Sequence, residues 1–269
     1  MITLYHGATS VCSQKVRIAL AEKGLEWESR MLNLAKSEQL APDYVKLNPN
    51  GVVPTLVNDD FVIRESSVII DYVNQLSDQN ELMPGDPEGA AKVRLWLLRT
   101  LEIHSSINTM SFASVFRDRD LRIKSPGQLA AQLAKMPDRQ AAAKRKDLLE
   151  NGVKSPYVAN AIAILTRTLS DMNDDLEGSE WITGEQFGLG DIGVVTYIHR
   201  LEMLALEDLW RKRYSNVAGW LERMQRRPSF KSEVYDYLTS DEEATYHAAG
   251  MKVRPEIIAI ADELHSRTG

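Results

Sequence analysis

Strand signals in this chain are confined to the first 77 of its 269 residues, and everything after them carries helical periodicity. That asymmetry restricts the fold to a small mixed α/β domain followed by an all-α one. Residues 2–5 read as a strand. Residues 13–23 read as a helix, with Val16, Ile18, Ala19 and Leu20 apolar and Gly24 as its stop. Residues 27–32 read as a second strand, and 42–47 lie in a short helix closed by Asn48-Pro49-Asn50-Gly51. Residues 55–57 and 61–63 flank Asn58-Asp59-Asp60 as a hairpin, and 65–74 form a helix striped by Val68, Ile69, Tyr72 and Val73. A right-handed crossover makes the first two strands parallel, and the hairpin adds an antiparallel edge. This order matches a thioredoxin-like layout.

Residues 78–88, running from Asp78-Gln79-Asn80 to Pro84-Gly85-Asp86-Pro87, are polar and rich in turn formers. They are expected to link a domain at 1–77 to a helical bundle domain at 89–240. Long helices are expected over 88–118, 127–149 and 155–177, punctuated by Ser125-Pro126-Gly127 and Asn151-Gly152. Shorter ones are expected over 190–204, 216–226 and 229–238. Residues 241–269 read as a charged tail with an amphipathic helix over 255–265, where Ile257, Ile258, Ile260, Ala261 and Leu264 are apolar.

Composition works by exclusion. A net charge of −6 lacks the basic excess of a nucleic-acid binder. No uncharged apolar run approaches the roughly 18 residues of a membrane span, and the first residues lack the basic and apolar regions of a signal peptide. The single cysteine, Cys12, excludes an intrachain disulfide, so a cytoplasmic setting is the expectation. The histidines are scattered without ligand spacing, and no phosphate loop or dinucleotide fingerprint is present.

Three local features could carry chemistry. Thr9-Ser10-Val11-Cys12-Ser13 opens the first helix, where free amides and the helix dipole favour an anion, including a thiolate. A hydroxyl there can donate to a bound thiolate, and a cysteine there can act as a nucleophile. The same residues also suit an ordinary N-cap and a small buried side chain. In Gly51-Val52-Val53-Pro54-Thr55, a cis proline would present the Val53 backbone to a peptide ligand, whereas a trans proline would merely open an edge strand. In Arg64-Glu65-Ser66-Ser67, Glu65 can accept from an ammonium, and Ser66 on a helix start can hold a carboxylate. Together they complement the end of an α-amino acid, although in isolation a plain cap accounts for them better.

The ordered set is more specific than its parts. Leu4-Tyr5-His6, the run from Ser10 through Leu20, Glu22-Lys23-Gly24, Leu47-Asn48-Pro49, Val53-Pro54-Thr55-Leu56 and Glu65-Ser66 together resemble the N-terminal signature of the soluble glutathione transferase family. Trp181-Ile182-Thr183-Gly184-Glu185 and Phe187-Gly188-Leu189-Gly190-Asp191 resemble that family's folding motif, a capping box in which Gly188 replaces the usual hydroxyl and Asp191 reaches back to the Gly188 amide. The resemblance implies a homodimer in which Ser10 and Cys12 flank the glutathione sulfur. It also implies that Gln39 approaches the glycine end, Val53 pairs with the cysteinyl backbone next to Pro54, and Glu65 and Ser66 hold the γ-glutamyl end.

Ser10-Val11-Cys12-Ser13 is similar to the zeta-like branch, which includes maleylacetoacetate isomerases and the reductive dehalogenase of tetrachlorohydroquinone. Val11 and Met203 stand where the isomerases carry a serine and an arginine, and so favour transfer over isomerisation. Residues 105–155 and Tyr197-Ile198-His199-Arg200-Leu201 are similar to the ganglioside-induced differentiation-associated protein. The expected activity is attack of a glutathione thiolate, as co-substrate, on a small hydrophobic, aromatic electrophile, without nucleic acid or membrane as partner. A weakly catalytic binding protein and a cis-trans isomerase are the alternatives. His104, Met110 and Phe112 are either lining for the electrophile or ordinary helix packing.

Overall fold

The structure is a computed structural model and describes residues 1–79 and 81–268. Asn80 in the expected linker and Gly269 at the end of the expected tail lie outside the described residues. Four strands form one sheet in the order β2-β1-β3-β4: β1 Ile2–His6, β2 Glu28–Met31, β3 Thr55–Asn58 and β4 Phe61–Ile63. β1 runs parallel to β2, with Thr3 opposite Glu28, and antiparallel to β3, with Leu4 opposite Leu56. Leu4 and Leu56 are fully buried, and burial of such a side chain stabilises by roughly 1.5–3 kcal/mol.

Helix α1, Val11–Glu22, starts at Ser10, whose side chain accepts from the Ser13 amide. It ends in a Schellman motif: Leu25 N–H donates to Leu20 C=O at 3.0 Å and Gly24 N–H to Ala21 C=O at 3.1 Å. Gly24 has a φ of +60°, the left-handed conformation that only glycine adopts cheaply. Helices α2 (Pro42–Leu47) and α3 (Ser66–Gln75) complete the mixed layer. The thioredoxin-like order of the first 77 residues is therefore as the sequence predicts.

The remaining helices are α4 Pro87–Ser111, α5 Arg117–Ile123, α6 Pro126–Lys135, α7 Arg139–Asn151, α8 Pro156–Asp175, α9 Leu189–Met203, α10 Ser215–Gln225, α11 Pro228–Glu233 and α12 Ser240–Thr268. A π-helical turn, Phe112–Phe116, joins α4 to α5. Three expectations need correction. The single helix over 127–149 is two helices. Pro137 pushes Met136 into extended backbone, and Asp138 caps α7 through the Gln140 and Ala141 amides. The helix over 229–238 stops at Glu233, after which 235–237 form a 3-10 turn. The tail helix does not start at Pro255 but at Ser240, and Pro255 lies inside it. Tyr246, Ile257 and Ala261 on α12 are buried, and a side chain at Gly250 would run into the Leu204 carbonyl. This packing outweighs the hydrogen bond that proline removes.

Two compact units result. The first comprises Met1–Leu101, Asp175–Ile198 and Gly219–Thr239; the second comprises Glu102–Asp174, His199–Ala218 and Ser240–Gly269. Among the described residues, no helix is long and apolar enough to cross a membrane.

Candidate active site

The site is built around the start of α1. The turn before it, Gly7 to Thr9, is held by a buried arginine. Arg17 donates to the carbonyls of Gly7 at 3.2 Å, Ala8 at 3.0 Å and Glu233 at 2.6 Å, and its guanidinium lies 3.8 Å from the Tyr237 ring centroid. It also meets His6 Nδ1 at 3.2 Å, which makes Nδ1 the acceptor and leaves Nε2–H to donate to Ser29 Oγ at 2.8 Å. Burial first, and the Arg17 charge second, push His6 down to about 4. The turn therefore enters α1 as a fixed geometry. Ser13 Oγ accepts from the Gly7 amide at 3.2 Å, and Ser10 Oγ accepts from the Ser13 amide at 3.3 Å. Ser10 is thus an N-cap, yet its own O–H remains to donate elsewhere.

Cys12 lies in the same first turn and is 8% exposed. Its Sγ is 3.5 Å from the Tyr197 hydroxyl on α9, and the first turn is anchored to the same helix by Thr196 Oγ1, which donates to the Val11 carbonyl at 2.9 Å. Lys15 is fully buried; its Nζ donates to Tyr197 Oη at 3.3 Å and to Ser67 Oγ at 3.0 Å. Burial pushes Lys15 down to about 8, against the opposing pull of Cys12 and then Glu65. Burial likewise raises the Tyr197 hydroxyl well above the usual phenol range, so it stays protonated. Sequence reasoning assigned no role to Lys15, Arg17 or Tyr197. The available signal was two cations, Lys15 and Arg17, beside the apolar Val16, Ile18, Ala19 and Leu20 of the same helix; the structure buries every residue from Val11 to Leu20.

The second feature is the Val53–Pro54 bond, which is cis. Its neighbours are pinned: Tyr44 Oη donates to the Val52 carbonyl at 2.6 Å, and Asn48 Nδ2 reaches the same carbonyl at 2.9 Å and Thr55 Oγ1 at 3.0 Å. Gly51 has a φ of +60°, strained for any other residue, and a Cβ there would sit 2.6 Å from the Leu40 side chain, which would have to move. Among the described residues, the Val53 backbone groups have no hydrogen-bond partner in the chain.

The third feature is the start of α3. Glu65 is its N-cap residue but makes no side-chain cap bond, and it is exposed; Ser66 is buried at the first helical position. Gln39 stands in the 3-10 turn Glu38–Leu40, and its buried Oε1 has no hydrogen-bond partner. All of these residues belong to the first compact unit. His104, Met110 and Phe112 belong to the second, where Met110 and Phe112 are fully buried and the Phe112 ring centroid lies 3.8 Å from the Arg145 guanidinium. Those two are helix packing. Met203 is buried, and Arg200, one turn before it, stacks 4.6 Å from the Tyr246 ring centroid.

The folding motif has the expected back-bond. Asp191 Oδ2 accepts from the Gly188 amide at 3.1 Å, while Oδ1 accepts from Ile182 N at 3.0 Å and Trp220 Nε1 at 2.7 Å. Gly188 has a steric reason: a Cβ there would lie 2.5 Å from the Leu82 carbonyl oxygen.

Comparison with known proteins gives the family. The family model for the glutathione S-transferase N-terminal domain matches residues 9–76, and that for the C-terminal domain matches 155–223. The chain is 27% identical over 241 residues to glutathione S-transferase TCHQD of Arabidopsis thaliana, covering 87% of this chain and 90% of that one. It is 27% identical over 237 residues to the tetrachloro-p-hydroquinone reductive dehalogenase of Sphingobium chlorophenolicum, covering 86% and 94%. The fold is similar to that of the beta-etherase LigF from Sphingobium sp. strain SYK-6, with a TM-score of 0.78 at 23% identity over 87% of this chain and 99% of that one. With both domain models in order and relatives of this kind along most of its length, the chain belongs to the glutathione S-transferase family.

Proposed function

We propose that this protein binds glutathione against β3 and the starts of α1 and α3, and uses its thiolate to attack a small apolar, aromatic electrophile. The observation that carries this reading is the start of α1. Ser10 accepts the Ser13 amide and keeps its hydroxyl proton to donate, with Cys12 on the same turn. A donor aimed at a sulfur at a helix N-terminus favours the thiolate. The other residues suit the rest of the tripeptide. The unpaired Val53 backbone next to Pro54 would take the cysteinyl amide. The exposed Glu65 carboxylate would take the γ-glutamyl ammonium, and Ser66 with the first amides of α3 would take its carboxylate. Gln39, whose buried Oε1 lacks a partner, would take the glycine end.

In conjugation, a carbon–sulfur bond forms and halide or aryloxide leaves with its electron pair. The similarity to a reductive dehalogenase supports a further step at Cys12. Its thiolate attacks the conjugate sulfur, an S–S bond forms, and the carbon leaves with the C–S electron pair and takes a proton. A second glutathione thiolate then displaces Cys12, giving glutathione disulfide. Two thiols are oxidised and one carbon–halogen bond becomes carbon–hydrogen. The exposed Phe61, Val68, Leu95, Leu98 and Leu101, all in the first unit, support assembly with a second copy; a monomer in sedimentation equilibrium would count against it.

The test is incubation with glutathione and a panel of halogenated aromatics, aryl ethers and cis-enone acids, with products and glutathione disulfide weighed by mass spectrometry. A conjugate without disulfide assigns the chemistry to the bound thiolate and Ser10. Reduced product with disulfide assigns it to Cys12. Rearranged acid without glutathione consumption makes it an isomerase, and glutathione binding without turnover makes it a binding protein.

A further inference from the structure

A lysine with no exposed surface is costly, and among the described residues no carboxylate lies at hydrogen-bond distance from this one. Lys15 Nζ has instead two hydroxyl partners, Ser67 Oγ at 3.0 Å and Tyr197 Oη at 3.3 Å. Their proton directions are set by the chain beyond them. Thr100 Oγ1 donates to the Leu97 carbonyl at 2.7 Å, so Ser67 Oγ, 2.7 Å away, donates to Thr100 and is left to accept from Lys15. Ser67 and Thr100 therefore orient Nζ. On the other side, Tyr197 Oη lies 3.3 Å from Lys15 Nζ: the neutral amine accepts from the Tyr197 hydroxyl, whereas the ammonium donates to it, and Thr100 is a further partner of that hydroxyl. Cys12 Sγ lies 3.5 Å from it. All five residues lie in the first compact unit.

We propose that Tyr197 and Lys15 form a buried relay that removes the proton of Cys12 and holds the resulting thiolate. Starting from the neutral amine, the proton on Sγ passes to Tyr197 Oη as the Tyr197 proton passes to the Lys15 Nζ lone pair, and the ammonium formed then donates to Tyr197 Oη, the contact at 3.3 Å. Sulfur ends as thiolate, tyrosine is unchanged and the amine becomes ammonium. No oxidant or co-reactant is needed. The arrangement follows the logic of an activated nucleophile: nucleophile, base, and a third group that orients the base. Lys15 suits the role of base because burial places its titration near 8, and Tyr197 suits that of conduit because it stays protonated. The titratable groups facing Lys15 are Cys12 on its own helix, Tyr197 on α9 and Glu65 at the start of α3; the electrostatic pull of both Cys12 and Glu65 favours its charged form. By reciprocity, a charged Lys15 favours the Cys12 thiolate by the same coupling. Lys15 and Tyr197 are positioning residues that act through Cys12.

This inference rests on the reading of Cys12 as the redox thiol, but its test uses neither glutathione nor electrophile, so the two can fail separately. The full chain is alkylated with iodoacetamide from pH 5 to 10 and followed by intact mass; Cys12 is the only cysteine, so every adduct reports on it. In Lys15→Met the rate at pH 7 is expected to fall about tenfold and the midpoint to rise by about one pH unit. Tyr197→Phe should shift it the same way by about half as much, and Lys15→Arg, which keeps the charge, should restore part of the loss. Circular dichroism confirms that each variant is folded; if Lys15→Met is not, Tyr197→Phe carries the test. A merely structural lysine would change thermal stability and leave the pH profile in place. Unchanged profiles in folded variants, or a parent thiol inert at every pH, overturn the proposal.

Discussion

Two helix starts in the first unit solve the same problem in opposite ways. At α9, Asp191 commits both carboxylate oxygens to three buried donors, the Gly188 and Ile182 amides and the Trp220 indole. Nothing is left for a ligand, and burial pushes the carboxyl up to about 6 despite those bonds. At α1, Ser10 satisfies one amide and keeps a proton to donate, while the Arg17 guanidinium rather than a cap fixes the preceding turn. A helix end whose capping groups are exhausted is an anchor. One whose cap retains a free valence can serve as a site, provided other residues bear the structural load.

The largest effect that sharpens this contrast is at the anchor. Asp191→Ala leaves three buried donors without an acceptor, and about 3–5 kcal/mol of stability should be lost, read from urea unfolding midpoints at constant m-value. Ser10→Ala removes a single half-buried cap bond, so about 1 kcal/mol should go. Its main effect should be on kcat/KM with glutathione, about a hundredfold, because the donor to the thiolate is lost. Should Ser10→Ala lose stability as Asp191→Ala does, the two helix starts do not differ in the way described. Gly188→Ser probes the anchor differently. On sequence grounds it restores a cap hydroxyl, yet its Cβ would lie 2.5 Å from the Leu82 carbonyl, so a loss of about 1–3 kcal/mol is expected in the same unfolding assay.

The anchor was more legible in the sequence than the site. The Asp191 back-bond follows from the resemblance to the folding motif, and Ser10 as cap, the hairpin and Glu65-Ser66 at a helix start from local pattern. Each is local, spanning a few residues with a strong turn signal beside it. The cluster that surrounds Cys12 is not local: Lys15 and Tyr197 are 182 residues apart, and only tertiary packing of α9 on α1 brings them together. Two helix boundaries failed for opposite reasons. Met136-Pro137-Asp138 is a local break that a broad apolar period hid. Pro255 is a local break signal that tertiary burial of Tyr246, Ile257 and Ala261 overrides.

The smallest effect is a pH signature that separates the two helix starts. His6, beneath the α1 turn, is held at about 4 against an ordinary 6.5, so between those values the unfolded chain binds more protons and stability falls as pH falls. Asp191 is held at about 6 against 3.8, so across that range the folded chain binds more protons and stability rises as pH falls. The two slopes oppose each other from pH 6 to 4, and the parent should show a shallow dependence from this pair. His6→Asn removes the first slope while Asn Oδ1 still accepts from Arg17, so unfolding midpoints measured at pH 6.5, 5.5 and 4.5 should decline less steeply with acid than the parent's. Asp191→Asn removes the second, and its midpoints should decline more steeply. Parallel curves for all three proteins would mean that neither group changes its affinity for protons on folding.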